Sequence, residues 1–203
     1  MLVSLGAFTV AAVLIVLLPG PDTLVVLRNL VRGGRATAVQ TVLGVLSGLT
    51  VWVVAAALGL SAVLRASHDA YLALRIAGAV YLLWLGVSSL RSHGRPAAER
   101  PARRRSLIGQ GYSAGLATDL LNPKVGVFFV TFLPGFVPAG YPVGWVSVAL
   151  GGIFVGLTAL YFAVLILASG RVTTWMSTAH IRRRLDRATG LVLIGFGLKL
   201  ATE

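Results

Sequence analysis

The chain has 203 residues, of which 57% are hydrophobic and only 12% charged, and its mean hydropathy is +0.87. This composition excludes an ordinary soluble domain and predicts a polytopic helical membrane protein that folds as one unit. A net charge of +12 would suggest nucleic-acid binding in a soluble protein. Here the basic residues lie beside apolar runs, where they orient a membrane protein, and we expect no nucleic-acid partner.

The first apolar run extends from about Leu2 to Leu30 and is interrupted by Leu18-Pro19-Gly20-Pro21-Asp22. Two prolines remove hydrogen bonds in the middle of a helix. The carboxylate that follows costs about 2.5–3.5 kcal/mol at the centre of a bilayer. A signal peptide is the alternative, but the first residues carry no positive side chain and Pro-Gly-Pro-Asp is a poor cleavage site. We therefore predict a first transmembrane helix that is broken near its middle.

Five further apolar runs follow, separated by basic or polar segments. A basic turn around Gly33-Gly34 leads to the second run, in which Gly44 and Gly48 form a G-x-x-x-G. This pair favours close packing between helices of one chain over dimerisation. A second polar break, Asn122-Pro123-Lys124, lies inside the fourth run. The five runs cover about residues 39–64, 70–90, 108–133, 143–168 and 188–201.

The basic residues are distributed unevenly between the two predicted sides of the membrane. With six spans, 14 of the 18 Lys and Arg residues lie on one side, within residues 28–35, 91–105 and 171–187. The positive-inside rule makes that side cytoplasmic. Both termini are therefore predicted to lie outside the cytoplasm.

The two halves of the chain resemble each other weakly but in the same order. The break at residues 18–21 corresponds to the break at 121–124, and Gly-Leu-Thr at 48–50 recurs at 156–158. A repeat of three spans must be inverted in its second copy, which is the pattern of secondary transporters. The predicted fold is therefore all-α, with six transmembrane helices in two inverted three-helix repeats and with helices 1 and 4 broken at Pro. The repeats are residues 1–91 and 108–203, joined by a basic cytoplasmic loop at 92–107.

The candidate functional residues surround the two breaks. Asp22 can hold a substrate ammonium, carry a proton or pair with Lys124, or it can simply cap the helix that restarts after Pro21. Asp119 and Asn122 form a second polar pair, and Lys124 either joins these groups or snorkels to the membrane surface. The predicted substrate and proton pathway consists of Pro19, Gly20, Pro21, Asp22, Asp119, Asn122, Pro123 and Lys124.

No pattern in the chain indicates catalysis or a cofactor. His68, His93 and His180 fall in predicted loops, the chain has no Cys, and no phosphate-binding glycine loop is present. We expect a protein that is not an enzyme, with no metal and no cofactor, whose partners are the lipid bilayer and a small solute. The sequence leaves a homo-oligomer open.

Several of these motifs recur in the same order in a known family. They are Pro19-Gly20-Pro21-Asp22, the turn at residues 32–35, Gly78–Gly86, Asn122-Pro123-Lys124 and Leu185–Gly190. The chain resembles the LysE/RhtB family of amino-acid exporters, and its homoserine/threonine branch more than its lysine branch. The resemblance implies secondary efflux of small amino acids across the bacterial inner membrane, powered by proton antiport. Asp119 stands where such proteins often carry Asn, and Gly135 where Gln is frequent, which leaves the substrate open.

The resulting hypothesis is alternating access around the two breaks. The ends of the half-helices and Asn122 bind the termini of the amino acid, and Asp22 or Asp119 exchanges a proton. One alternative is efflux of another small solute or a cation. The other is a membrane scaffold that transports nothing, in which Asp and Pro at repeat-related positions would have little purpose.

Overall fold

The computed structural model describes residues 2–17, 19–66, 109–138 and 140–168, with isolated positions between 69 and 90 and between 187 and 198. These residues are mainly helical and contain no strand, which agrees with the all-α prediction. The loop at 92–107 and the three histidines lie outside the described residues, and isolated positions alone represent the third and last predicted runs. The arrangement of six spans in two repeats therefore stays a prediction. The helices are α1 (Leu2–Leu17), α2 (Pro21–Ala66), α3 (Tyr112–Leu120), α4 (Pro123–Val127) and α5 (Val143–Leu167).

The first break separates α1 from α2 at the prolines that predict it. A helical carbonyl accepts from the N–H four residues later, and a proline has no N–H to donate. Pro21 then opens α2 at the first helical position, where a missing N–H costs nothing and the fixed φ suits a helix. The Leu24 N–H donates to the Gly20 carbonyl at 3.1 Å and closes the first turn.

Helix α2 is a helical hairpin whose turn is at Gly34. Gly34 has φ 71° and ψ −173°, a left-handed backbone that favours glycine, and it is the one non-helical residue of α2. The Asn29 Nδ2 donates to the Thr41 Oγ1 at 2.8 Å, whereas twelve residues of straight helix would separate them by about 18 Å. Residues 21–33, the first arm, therefore fold back against residues 35–66, the second arm. This is the predicted basic turn between the first two runs.

Glycines let the second arm of α2 approach α3 closely. A Cβ on Gly44 would overlap the Tyr112 carbonyl, and a Cβ on Gly115 would overlap the Thr41 carbonyl. Gly48 lies in the same way against the side chain of Asp119. The pair Gly44 and Gly48 thus serves helix packing within the chain, as predicted.

The fourth predicted run contains more irregular backbone than the sequence indicates. After the break at Asn122 and the short α4, residues Phe128–Phe132 form a π turn and Leu133–Phe136 a 3₁₀ turn. The Leu133 N–H donates to the Phe128 carbonyl, five residues back. Because Pro134 offers no N–H to the Val130 carbonyl, the regular ladder cannot continue through this segment.

An aromatic cluster fills the centre of the helices. Phe128 lies 4.5 Å from Phe154 of α5 and 6.0 Å from Phe8 of α1, measured between ring centroids. Helix α5 is unbroken, packs on α1 and α2, and matches the predicted fifth run within one residue. Among the described residues, Pro21–Gly59, which includes the turn at Gly34, and Val143–Leu167 are long and apolar enough to cross a membrane, by length and composition alone. Leu5–Leu17 is apolar but shorter.

Candidate functional site

The first break contains a carbonyl that a side chain from the second break binds. Pro19 lacks the N–H that the Ile15 carbonyl would accept in a continuous helix. Lys124 replaces it, because its Nζ donates to the Ile15 oxygen at 2.8 Å. The same Nζ lies 3.7 Å from the position that a Cβ on Gly20 would take. Lys124 therefore points into the first break and does not snorkel to the membrane surface.

The second break repeats this arrangement with different residues. Pro123 lacks the N–H that would bind the Asp119 carbonyl. That oxygen accepts instead from the Asn122 backbone N–H at 3.0 Å and from the Trp52 Nε1 at 3.4 Å. Gly126 leaves room for the indole, whose Cη2 lies 3.0 Å from the position of a Cβ there. At each break, a side chain from elsewhere in the chain binds the carbonyl that a proline has freed.

Asn122 joins the two breaks directly. Its Oδ1 accepts from the Lys124 backbone N–H at 3.1 Å and caps α4. Its Nδ2 donates to the Asp22 Oδ2 at 2.6 Å, across one hundred residues of sequence. Asn122 therefore caps the helix at the second break. The Asp22 carboxylate turns toward that break, and its buried Oδ1 has no hydrogen-bond partner in the part of the chain that the structure describes.

The side chain of Asp119 is buried without a partner. The residue is 0% exposed, and neither carboxylate oxygen has a hydrogen-bond partner among the described residues. A buried carboxylate without a partner is costly, because desolvating its charge is not compensated. Such groups mark sites that bind a proton or a ligand.

A cavity of about 40 Å³ lies between the two breaks. Apolar side chains from α1, the second arm of α2 and α5 form much of its wall, including Ile15, Leu49 and Phe154. Among the described residues, the charged groups that line it are two carboxylates and one ammonium. Asp22 interacts electrostatically with Lys124, and Asp119 with Asp22. Its polar lining is Asp22, Thr23, Asp119, Lys124, Thr158 and Tyr161.

Comparison with known proteins identifies the family. A family model described as LysE type translocator matches residues 1–203. The chain belongs to this family. The translocator is 33% identical over 204 residues to the uncharacterized membrane protein PA4757 of Pseudomonas aeruginosa, covering 96% of this chain and 93% of that protein. It is 30% identical over 207 residues to the uncharacterized membrane protein YrhP of Bacillus subtilis, covering 97% of both.

A relative with a stated activity is the leucine efflux protein of Salmonella typhimurium. The translocator is 30% identical to it over 201 residues, which cover 96% of this chain and 93% of the relative. No solved structure matches the translocator. Its family membership makes it a membrane transport protein.

The eight predicted pathway residues of the translocator all lie at the two breaks. Gly20, Asp22, Asp119 and Lys124 line the cavity. Asn122 contacts Asp22 beside it. The three prolines interrupt the helices because they have no backbone N–H to donate. Whether these residues carry substrate stays a prediction.

Sequence reasoning missed four contributors to the site. Thr23 and Tyr161 line the cavity with their oxygens 3.5 Å apart. Thr158 also lines the cavity. The recurrence of Gly-Leu-Thr at residues 156–158 is the sequence signal from which Thr158 could have been found. Trp52 lies one helical turn after Gly48, but no sequence signal tied its indole to Asp119. Within the described part of the chain, no group of three His, Cys, Asp or Glu is placed to hold a metal ion.

Proposed function

We propose that this translocator is a secondary transporter that exports small neutral amino acids from the cytoplasm by proton antiport. The observation that carries the proposal is the cavity at which the two helix breaks meet. It combines an ammonium and two carboxylates with an apolar wall. A free amino acid carries the complementary groups, which are a carboxylate, an ammonium and a side chain.

The charged groups of the cavity suggest an orientation for the amino acid. One carboxylate oxygen of Asp22 has no hydrogen-bond partner within the described residues, which makes it a place for the substrate's ammonium. Lys124 is the cation of the cavity and suits the substrate's carboxylate. The apolar wall then faces the amino-acid side chain.

This wall and the relatives support a choice of substrates to test. Aliphatic side chains and Phe154 favour an aliphatic amino acid, and one relative is a leucine efflux protein. The hydroxyl groups of Thr23, Thr158 and Tyr161 would suit threonine or homoserine, the substrates that the sequence resemblance implies. Leucine, threonine and homoserine are therefore the first amino acids to test.

Binding requires the cavity to open. One water needs about 10–15 Å³ on this measure, so the cavity of about 40 Å³ holds about three waters. Leucine has about three times as many non-hydrogen atoms as three waters have, so it does not fit the closed cavity. Movement of the half-helices at the breaks would enlarge the cavity toward one side of the membrane at a time, as in other transporters with broken helices.

Proton coupling is assigned to Asp119 in preference to Asp22. The carboxylate of Asp22 has Asn122 as a partner, whereas both oxygens of Asp119 have none among the described residues. A carboxyl group in this setting is stabilised when it holds a proton. A membrane potential of 100 mV contributes about 2.3 kcal/mol for each charge that crosses.

The proposed topology places the site at mid-membrane. It consists of six spans in two inverted repeats, residues 1–91 and 108–203, with the basic loop at 92–107 in the cytoplasm. Both termini face away from the cytoplasm, and the membrane is the bacterial inner membrane. The distribution of basic residues supports this orientation, and the meeting of the two breaks at one cavity supports the repeat.

The test is a counterflow screen in proteoliposomes. Purified protein is reconstituted into liposomes loaded with one unlabelled amino acid, and uptake of the labelled form is measured with and without a proton gradient. Counterflow of at least one neutral amino acid, with net flux that depends on the gradient, is expected. A scaffold would give no counterflow with any amino acid, and a cation exporter would respond to cations alone.

A further inference from the structure

Lys124 occupies a site that suits an ammonium group. Its Nζ binds the Ile15 carbonyl, which has no helical donor because residue 19 is a proline. The carbonyl belongs to the last turn of α1, and the C-terminal end of a helix carries partial negative charge. The Asp22 carboxylate lies close enough to interact with the Lys124 charge. A helix end and a carboxylate together form a site for a cation.

An amino acid entering the cavity brings an ammonium of its own. The cation site at the first break, the Ile15 carbonyl near the Asp22 carboxylate, suits this group, and Lys124 already binds its carbonyl. Two ammonium groups cannot share one carbonyl oxygen at 2.8 Å without strong repulsion. Binding of the substrate's ammonium at this carbonyl therefore requires Lys124 to leave.

We propose that Lys124 is a tethered internal cation that occupies the ammonium subsite of the empty carrier and is displaced by the ammonium of the substrate. The proposal rests on the proposed function. The displaced Lys124 then meets the carboxylate of the same substrate, so it gives up its site to one end of the amino acid and binds the other. Lys124 is a binding residue in this account, and Pro19 creates its acceptor.

The internal cation matters for the return of the empty carrier. After the substrate leaves, Asp22 and the freed Ile15 carbonyl would face the membrane interior without a cation, which is costly. Lys124 fills this site, so the empty carrier can reorient. Exchange of one substrate molecule for another does not pass through the empty state and does not need Lys124 at the ammonium subsite.

The test separates exchange from net efflux. Wild-type protein and the variants Lys124→Met, Lys124→Gln and Lys124→Arg are reconstituted in liposomes with the best substrate of the counterflow screen. Counterflow reports exchange, and release into substrate-free buffer reports net efflux. Arg32→Met is the matched control, because Arg32 is exposed at the α2 turn and its loss removes one positive charge outside the cavity.

In Lys124→Met, the fold-loss of net efflux is expected to exceed the fold-loss of counterflow by a factor of at least about ten. This factor corresponds to losing one hydrogen bond made by a charged group, here the one from Lys124 to the Ile15 carbonyl. Lys124→Gln can still donate to the Ile15 carbonyl but has no charge, so its net efflux should also fall more than its counterflow. It replaces the Met variant if that variant does not fold. Lys124→Arg should retain both activities in large part. Methylammonium, a free ammonium group, should restore net efflux in the Met variant.

Two results would overturn the inference while leaving the proposed function standing. One is net efflux at the wild-type rate in both Lys124→Met and Lys124→Gln. The other is an equal loss of counterflow and net efflux, unrelieved by methylammonium, which would make Lys124 a residue of the loaded carrier alone. Wild-type protein without any counterflow would overturn the proposed function and this inference with it.

Discussion

Removing the Asn122 side chain should uncouple the two breaks. Asn122→Ala loses the cap on α4, worth about 1 kcal/mol, and the 2.6 Å hydrogen bond to Asp22, worth about 1.5–3 kcal/mol for a charged acceptor. Asp22 is half-buried, so solvent replaces part of the second loss. The expected loss of unfolding free energy is about 2–3 kcal/mol. It is measured by denaturant unfolding in detergent, together with amino-acid counterflow.

Asn29→Ala is the matched control for this variant. Asn29 is also buried and donates through its Nδ2 at 2.8 Å, but its acceptor is the neutral Thr41 hydroxyl and it does not line the cavity. Its expected cost is about 1 kcal/mol. A double-mutant cycle between Asn122→Ala and Asp22→Ala should give a coupling of about 1–3 kcal/mol. Coupling near zero, or an Asn122 variant no less stable than the Asn29 variant, would refute the reasoning.

Three further substitutions test other contacts. Asp119→Asn removes the group that exchanges the proton. Amino-acid exchange should persist, while net flux should stop responding to a pH gradient. An unchanged response of net flux to the gradient would contradict this role. Gly44→Ala places a Cβ on the Tyr112 carbonyl and should lower the thermal unfolding temperature in detergent. Gly152→Ala is the control, because its Cβ meets nothing within 4 Å and should leave the unfolding temperature unchanged. Equal unfolding temperatures for the two variants would contradict the close contact at Gly44. Trp52→Phe loses the 3.4 Å donor to the Asp119 carbonyl and should cost about 0.5–1 kcal/mol in denaturant unfolding, and no measurable loss would mean that water replaces the indole.

The helix breaks could be predicted from the sequence because proline acts on its own backbone. Pro19, Pro21 and Pro123 remove N–H groups however the chain folds. Helix α1 ends at Leu17, shortly before Pro19, and α2 and α4 begin at Pro21 and Pro123. The turn at Gly34 was predictable for a similar reason, since glycine is the residue that readily adopts a left-handed backbone. The apolar length of α5 also sufficed to place it within one residue.

The contacts between the breaks could not be predicted, because they depend on tertiary packing. The sequence offered Asp22, Asp119 and a snorkelling position as alternatives for Lys124, and its Nζ donates to the Ile15 backbone carbonyl. The sequence favoured a functional role for Asp22 over a helix cap, but it did not indicate that the Asp22 carboxylate accepts from the Asn122 side chain or that Asn122 caps α4. The π turn at Phe128–Phe132 carries no local signal beyond Pro134.

Counterflow by Asp22→Asn in proteoliposomes tests the central claim most directly, namely that the two breaks form one amino-acid site. The substitution keeps the size of the side chain and an oxygen that can accept from the Asn122 Nδ2, so the variant should fold and elute from gel filtration as the wild-type protein does. It removes the negative charge that faces the substrate's ammonium. The account predicts that counterflow is lost, because Asp22 holds the substrate's ammonium and Asp119 exchanges the proton. Counterflow at the wild-type rate would contradict it.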